Sequence, residues 1–186
     1  MFHRLLTLVT AVALGALSAA AAGQPLKAPW VLVDTHRHTV SVIQGGKVKQ
    51  TFRRIAVGRG GVAKVRYEGG GRTPLGTFHV AWVNKNSRFH LFFGLDYPHD
   101  AQAAVALKRN KIGPGTYARI LRAYNRGRLP PQDTKLGGYI GIHGLGHANP
   151  FIQRMADWTE GCIALDNRQI DNLAQWVSIG TKVVIR

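Results

Sequence analysis

The sequence predicts a mainly β domain with a few helices. Short apolar runs that alternate with polar residues follow one another closely at 30–34, 38–43, 48–57, 77–83 and 88–95. Most of the 22 glycines lie in clusters between such runs, and Gln44-Gly45-Gly46-Lys47 has the composition of a hairpin turn. This pattern favours a strand-rich, loop-rich domain over a helical bundle, and an apolar content of 45% is sufficient for a packed core.

A helical insertion is predicted in the middle of the chain. Residues 101–107 are rich in alanine, and residues 117–124 form a second helical stretch. Ile112-Gly113-Pro114-Gly115 lies between them and is expected to break the helix.

A C-terminal helix and strand complete the prediction. Asp166 and Gln169 have the spacing of a capping box. The apolar residues that follow recur at helical spacing and predict a stripe that packs on a core, at Ile170, Leu173, Ala174 and Val177. Gly180 is expected to end the helix, and residues 181–185 are predicted to form the last strand.

The first segment has the pattern of an export signal. Residues 1–4 are basic, residues 5–17 are mostly apolar, and residues 18–23 are small, as signal peptidase requires. We expect a signal peptide at 1–23, a linker at 24–29 and the functional domain at 30–186, so that the mature protein is periplasmic and keeps no stable membrane span. An uncleaved membrane anchor is the alternative, because the apolar run is nearly long enough for a span.

The mature chain is predicted to be strongly basic. Removal of residues 1–23 takes one arginine and no acid from a chain with 25 basic and 9 acidic residues, which leaves a net charge of +15. Such a charge favours polyanions, and export argues for cell-wall or lipid polyanions over nucleic acid. The insertion is the most basic segment, and its Arg119 and Arg122 either bind an acidic substrate or form a solvated helical face.

The glycine-rich region at 58–76 is predicted to be a mobile connection between strands. It lacks both the Gly-Lys-Ser/Thr ending of a phosphate-binding loop and the spacing of a dinucleotide fingerprint.

Candidate catalytic residues lie in two short stretches, Ile140-Gly141-Ile142-His143-Gly144 and Asp157-Trp158-Thr159-Glu160-Gly161-Cys162-Ile163-Ala164-Leu165. Cys162 is the one cysteine of the chain, whereas structural cysteines of exported proteins come in pairs. A thiol needs a base to become a nucleophile, and imidazole titrates near neutral pH. From chemistry alone, a catalytic pair and two structural residues both remain open.

The order of motifs resembles a known family. His143-Gly144, followed by Thr159-Glu160-Gly161-Cys162 and preceded by Arg72-Thr73-Pro74-Leu75-Gly76-Thr77-Phe78, is similar to the signature of the YkuD-type L,D-transpeptidases. The resemblance covers residues 30–186. It implies a β-sandwich-like domain of mixed sheets with a few helices, no cofactor and no metal, and peptidoglycan stem peptides as partners.

The resemblance also implies roles for individual residues. Cys162 would attack a diaminopimelate carbonyl of a stem peptide, form a thioester and pass the acyl group to an amine, in cross-linking or remodelling of the wall. His143 would be the base, the Gly144 carbonyl would orient it, and the Gly161 backbone would donate to the oxyanion. Substrate contacts would come from Trp158, Thr159 and Glu160. Arg119 and Arg122 are candidate substrate contacts from the charge of the insertion, not from the family motif.

Two positions depart from the family pattern, and three alternatives remain. Glu160 stands where many members have histidine, and Ala164 where many have arginine, so an arginine of the insertion is a candidate replacement. An L,D-carboxypeptidase or another hydrolase of the family is the first alternative. A zinc hydrolase with His143, His147 and Cys162 as ligands is the second, and a non-catalytic wall-binding module is the third.

Overall fold

The computed structural model describes residues 27–186, so the expected signal peptide at 1–23 lies outside the described residues. Fourteen elements follow in chain order: β1 Trp30–Asp34, β2 Thr39–Gln44, β3 Lys47–Arg53, β4 Val62–Ala63, β5 Thr73–Pro74, β6 Gly76–Ser87, β7 His90–Leu95, α1 Asp100–Lys108, α2 Pro114–Asn125, β8 Gly141–His143, α3 Ile152–Met155, β9 Ile163–Ala164, α4 Asn167–Ala174 and β10 Lys182–Ile185. Within residues 27–186, no helix is both long and apolar enough to cross a membrane.

The main sheet has eight strands in the order β3-β2-β1-β10-β6-β7-β8-β9. The pairs β1–β10 and β8–β9 are parallel and the others are antiparallel. The long strand β6 joins the two halves of the sheet, because its first residues pair with β10 and the rest pair with β7. A register shift between Val80 and Trp82 lies at this change of partner. The prediction of a mainly β fold with mixed sheets and a few helices is confirmed.

The first hairpin follows the glycine signal, but its second strand is shorter than predicted. Gly45 and Gly46 both have positive φ, as the tight hairpin turns require. Strand β3 ends at Arg53 instead of continuing to Val57, because Arg54 takes a left-handed φ of 61° and turns the chain. Ile55 and Val57 beyond the turn are buried in the core.

The helical insertion is confirmed with one shift of boundary. The expected break is present, since α1 ends at Lys108, but α2 already begins at Pro114, three residues before the predicted start. Proline fits there because the first helical N–H has no partner within the helix. The insertion packs on the core through Ile120, which is fully buried.

Helix α4 begins at the predicted capping box. The Asp166 carboxylate accepts a hydrogen bond from the Gln169 amide at 2.7 Å, and the Gln169 side chain accepts one from the Asp166 amide at 3.2 Å. Ile170 and Leu173 of the predicted stripe are fully buried.

The predicted end of this helix at Gly180 is wrong. Helix α4 ends at Ala174, because the next two amides bond to carbonyls three residues back and tighten the last turn.

The glycine-rich segment at 58–76 is packed tightly against itself. It contains the small parallel sheet β4–β5. Side chains at Gly58 and Gly60 would collide with the backbone of Gly71 and Gly70. Glycine at these positions therefore lets two stretches of backbone approach each other closely, and the segment presents Arg59 and Arg66 to the loop before β9.

Candidate active site

Strand pairing brings the two candidate catalytic residues together. Strands β8 and β9 are parallel, with Ile142 beside Ile163 and His143 beside Ala164. Extending this register by one residue sets Cys162 beside Gly141. Residues two apart on a strand share a face, so Cys162 and His143 project from the same face of the sheet.

His143 is held in a single orientation by aromatic rings and one hydrogen bond. Its ring stacks on Phe89 at 4.2 Å and lies near Phe92 at 5.8 Å and the edge of Trp158 at 6.1 Å, measured between ring centres. Its Nδ1 lies 2.6 Å from the Gly144 carbonyl oxygen. A carbonyl can only accept, so Nδ1 carries the proton and the lone pair of the neutral ring is on Nε2.

The surroundings of His143 favour its neutral form. Its side chain is buried, and this desolvation is the main reason that its pKa lies below the usual value. The bond to Gly144 raises the pKa and the charge of Arg88 lowers it. The ring is therefore able to accept a proton at neutral pH.

Cys162 is partly exposed and is protonated at neutral pH. Its thiol donates to the Tyr139 carbonyl at 3.4 Å. Desolvation raises its pKa from 9.0 to about 11, while the Gly141 amide and the charge of Arg66 act to lower the pKa. A thiol in this state needs a base before it can attack a carbonyl.

Thr159 braces the loop that carries Cys162. Its buried hydroxyl donates to the Cys162 carbonyl at 2.7 Å and accepts from the Gly161 amide at 3.1 Å. The φ of Gly161 is 125°, a conformation that side chains rarely adopt. The Gly161 amide can serve as the predicted oxyanion donor only if its hydrogen bond to the Thr159 hydroxyl breaks.

Glu160 lies at the surface, whereas Trp158 is hydrogen-bonded to a buried side chain. The exposed Glu160 carboxylate makes a two-point ion pair with Arg59, at 2.8 and 3.2 Å, and the hydrogen bond from Arg59 lowers the pKa of Glu160. Trp158 donates through Nε1 to Gln153 at 3.0 Å. Gln153 is buried and donates in turn to the Ala164 carbonyl at 2.6 Å, so the tryptophan is tied to β9.

The structure does not bring the two candidate arginines of α2 into this cluster. Arg119 and Arg122 are exposed and line a cavity of about 340 Å³. The other lining residues belong to the same part of the insertion, namely Ala123, Arg126, Arg128, Leu129, Pro130 and Pro131.

His147, the third ligand of the zinc alternative, does not join His143 and Cys162 in a metal site. His147 is exposed. Across the described residues, no group of three or more histidine, cysteine, aspartate and glutamate side chains is arranged to hold a metal ion.

Arg66 and Gln153 were not predicted from the sequence, yet both contact the loop that carries Cys162. Gln153 carries no local signal. Arg66 lies between the apolar Val65 and Tyr67, a placement that predicts partial burial for a charged residue in a β-rich chain.

Comparison with known proteins is consistent with this geometry. The profile of the L,D-transpeptidase catalytic domain family, YkuD, matches residues 28–185. A search of curated protein sequences gave no match. Similar solved structures include the K307A mutant of Pgp2, a helical cell shape determining protein from Campylobacter jejuni, with 19% identity, a TM-score of 0.59 and coverage of 86% of this chain and 47% of that one.

A second similar structure is Bd1075 from Bdellovibrio bacteriovorus, with 18% identity, a TM-score of 0.54 and coverage of 87% of this chain and 48% of that one. The chain thus spans about half the length of these two proteins. At this identity the likeness concerns the fold, whereas the family profile covers nearly the whole described chain. On that match, the chain belongs to the L,D-transpeptidase catalytic domain family.

Proposed function

We propose that this protein is a peptidoglycan L,D-transpeptidase in which Cys162 is the nucleophile and His143 the general base. The observation that carries the proposal is the bond from His143 Nδ1 to the Gly144 carbonyl, at 2.6 Å, on the strand beside Cys162. That bond fixes the tautomer whose Nε2 can take the thiol proton. A histidine with a purely structural role does not require an Nε2 lone pair beside a single thiol.

The reaction has two halves. His143 takes the proton of Cys162 as the sulfur attacks the diaminopimelate carbonyl of a stem peptide, and the terminal D-amino acid leaves with a proton as a thioester forms. The amine of a second stem then attacks the thioester and loses a proton to His143, and the thiol is regenerated. Water in place of the amine gives the carboxypeptidase reaction, which is the alternative.

Backbone donors and the cysteine loop supply the remaining roles. The β8–β9 register, extended by one residue, sets Gly141 beside Cys162, and the Gly141 amide acts to lower the pKa of the thiol. It is a candidate donor to the developing oxyanion, together with the predicted donor Gly161. Trp158, Thr159 and Glu160 are the proposed substrate neighbours, because they precede the nucleophile on the same loop.

The proposal includes export and a role in the wall. The apolar segment in residues 1–23 would direct secretion, and the mature periplasmic protein would begin near Gln24. N-terminal sequencing of the secreted protein tests this step, since an intact Met1 would leave the anchored alternative. The naming of Pgp2 as a cell shape determining protein makes wall remodelling the process to examine first.

Mass spectrometry of muropeptides tests the activity. Purified protein is incubated with disaccharide tetrapeptides, and we expect cross-linked dimers that are absent with Cys162→Ser. Tripeptides without dimers would establish the carboxypeptidase alternative instead. No change in any muropeptide, from a protein that still binds cell-wall sacculi, would favour the non-catalytic binding module.

A further inference from the structure

A buried arginine lies directly beneath the catalytic loop. Arg66 is 5% exposed, and its Nη2 donates to the Glu160 carbonyl at 3.2 Å, two residues before Cys162. Its Nε and Nη1 are also buried, and neither has a hydrogen-bond partner among the residues that the structure describes. Among the described residues Arg66 makes no ion pair; the nearby Glu160 carboxylate is paired with Arg59 at the surface, and the charge of Arg66 is only a minor cause of the lowered Glu160 pKa.

Burial of a guanidinium without a counterion is unfavourable unless neighbouring groups compensate for lost water. The ring of Tyr97, 5.9 Å from the guanidinium carbon, offers part of that compensation. The fold also makes room for the charge at Gly137, where a Cβ would lie 2.6 Å from Nη1. Arg66 therefore occupies a fitted cradle instead of reaching the surface as arginines usually do.

The anion that would lie near the Arg66 charge is the Cys162 thiolate, which forms during the reaction. Besides Arg66, the titratable groups that face Cys162 are the neutral His143 on β8 and the Glu160–Arg59 pair at the exposed side of the loop. Arginine stays protonated at any working pH, so its charge is present before and after proton transfer. Its hydrogen bond to the Glu160 carbonyl places it two residues from the nucleophile, and its charge partly opposes the rise in the Cys162 pKa that desolvation causes.

We propose that Arg66 is a positioning residue that stabilises the thiolate of Cys162 with a fixed buried charge and holds the catalytic loop through the Glu160 carbonyl. A catalytic role for this thiolate rests on the proposed function, whereas the ionisation of Cys162 can be measured without it. Direct binding of a substrate carboxylate is disfavoured, because Nε and Nη1 are covered by protein.

Ionisation of Cys162 can be measured by itself, because the chain has one cysteine. Selective ¹³C labelling of cysteine gives one Cβ resonance, whose position follows the thiol as pH rises. We expect Arg66→Gln, which keeps a donor but removes the charge, to move the midpoint upward by about one pH unit, a tenfold loss of thiolate at any pH below it. Arg66→Lys should return the midpoint most of the way to the wild-type value. Arg59→Gln, which removes an exposed charge from the same glycine-rich segment, should move the midpoint little.

A measurement on the unaltered protein covers the case in which Arg66→Gln does not fold. The Arg66 Nε resonance should move with the same midpoint as the Cys162 resonance, and it should stay still in Cys162→Ser. Equal Cys162 midpoints in folded Arg66→Gln and wild type would overturn the proposal. An Arg66 resonance that ignores the ionisation of Cys162 would also overturn it.

Acylation kinetics distinguish this role from carboxylate binding and from a failure of the proposed function. With a thioester-forming substrate analogue, Arg66→Gln should lower the saturating acylation rate and leave the half-saturating concentration unchanged. A higher half-saturating concentration with an unchanged Cys162 midpoint would assign Arg66 to the substrate and contradict the proposal. If no acylation occurs in any variant while the Cys162 midpoint still depends on Arg66, the proposed function fails and the inference about Arg66 stands.

Discussion

The loop around Cys162 and the helical insertion use positive charge in opposite ways. Around the loop, the buried guanidinium of Arg66 is held by a hydrogen bond of 3.2 Å, and its charge lies beside a neutral buried imidazole and a buried hydroxyl. On α2, Arg119 and Arg122 are exposed to water. A charge at a buried site acts through a low effective dielectric, whereas exposed charges are screened within about 8–10 Å at ordinary ionic strength. The net charge of +16 is therefore a poor guide to where electrostatics matters for chemistry.

The largest loss of acylation rate is expected when His143 is replaced. His143→Ala removes the base, and acylation of Cys162 should fall by about 10²–10⁴, the usual contribution of positioned acid–base catalysis. The control is His147→Ala, four residues later and exposed, which should change the rate little. The measurement is the acylation rate by stopped flow or intact mass. A greater loss from His147→Ala than from His143→Ala would contradict the assignment of the base.

Removal of the Thr159 hydroxyl should weaken the loop. Thr159→Val keeps the shape but leaves the Cys162 carbonyl and the Gly161 amide without their partner. We expect a loss of about 1–3 kcal/mol in the free energy of unfolding, measured in urea. Thr159→Ser keeps the hydroxyl and should lose much less. Equal stabilities of wild type and Thr159→Val would show that the two bonds are dispensable.

The pH dependence of acylation should report the burial of His143. Its pKa is lowered chiefly by desolvation, so the imidazole stays neutral, and active as a base, to a pH below the ordinary 6.5. The acid limb of the rate should therefore lie below pH 6.5, and at one pH unit below that value an ordinary imidazole would already have lost about tenfold in its basic form. Arg88→Gln removes a charge that lowers the same pKa and should move the limb upward. An acid limb above 6.5 would contradict this account.

The smallest effect is expected in the insertion. Replacement of Arg119 and Arg122 by glutamine should raise the apparent KM for stem peptides about two- to fivefold and reduce its dependence on salt, because exposed charge interactions contribute about 0–1 kcal/mol each. Lys47→Gln with Lys49→Gln removes the same charge from exposed positions of β3 and serves as the control. Equal effects of the two double variants would assign the insertion to a general solvated surface.

Local patterns predicted much of the fold because they are complete within a few residues. Gly45 and Gly46 specified a hairpin turn, and Asp166 with Gln169 specified the start of α4. Three predicted boundaries were wrong, at the end of β3, the start of α2 and the end of α4, because the local pattern permitted more than one conformation there. Arg54 left the strand by adopting a left-handed conformation, and Pro114, within the segment that was predicted to break the helix, begins α2.

The sequence by itself determined the family, the single thiol and the His-Gly element that precedes it, because motif spacing along the chain carries that information. The tertiary structure decided the rest of the site. Arg66 meets Glu160 across 94 residues of sequence, and Gln153 ties Trp158 to a strand. Such contacts depend on how the glycine-rich segment and the sheet pack, and no short window of sequence contains both partners. Burial is likewise a property of the whole fold, and it sets the pKa of Cys162 and His143 in opposite directions.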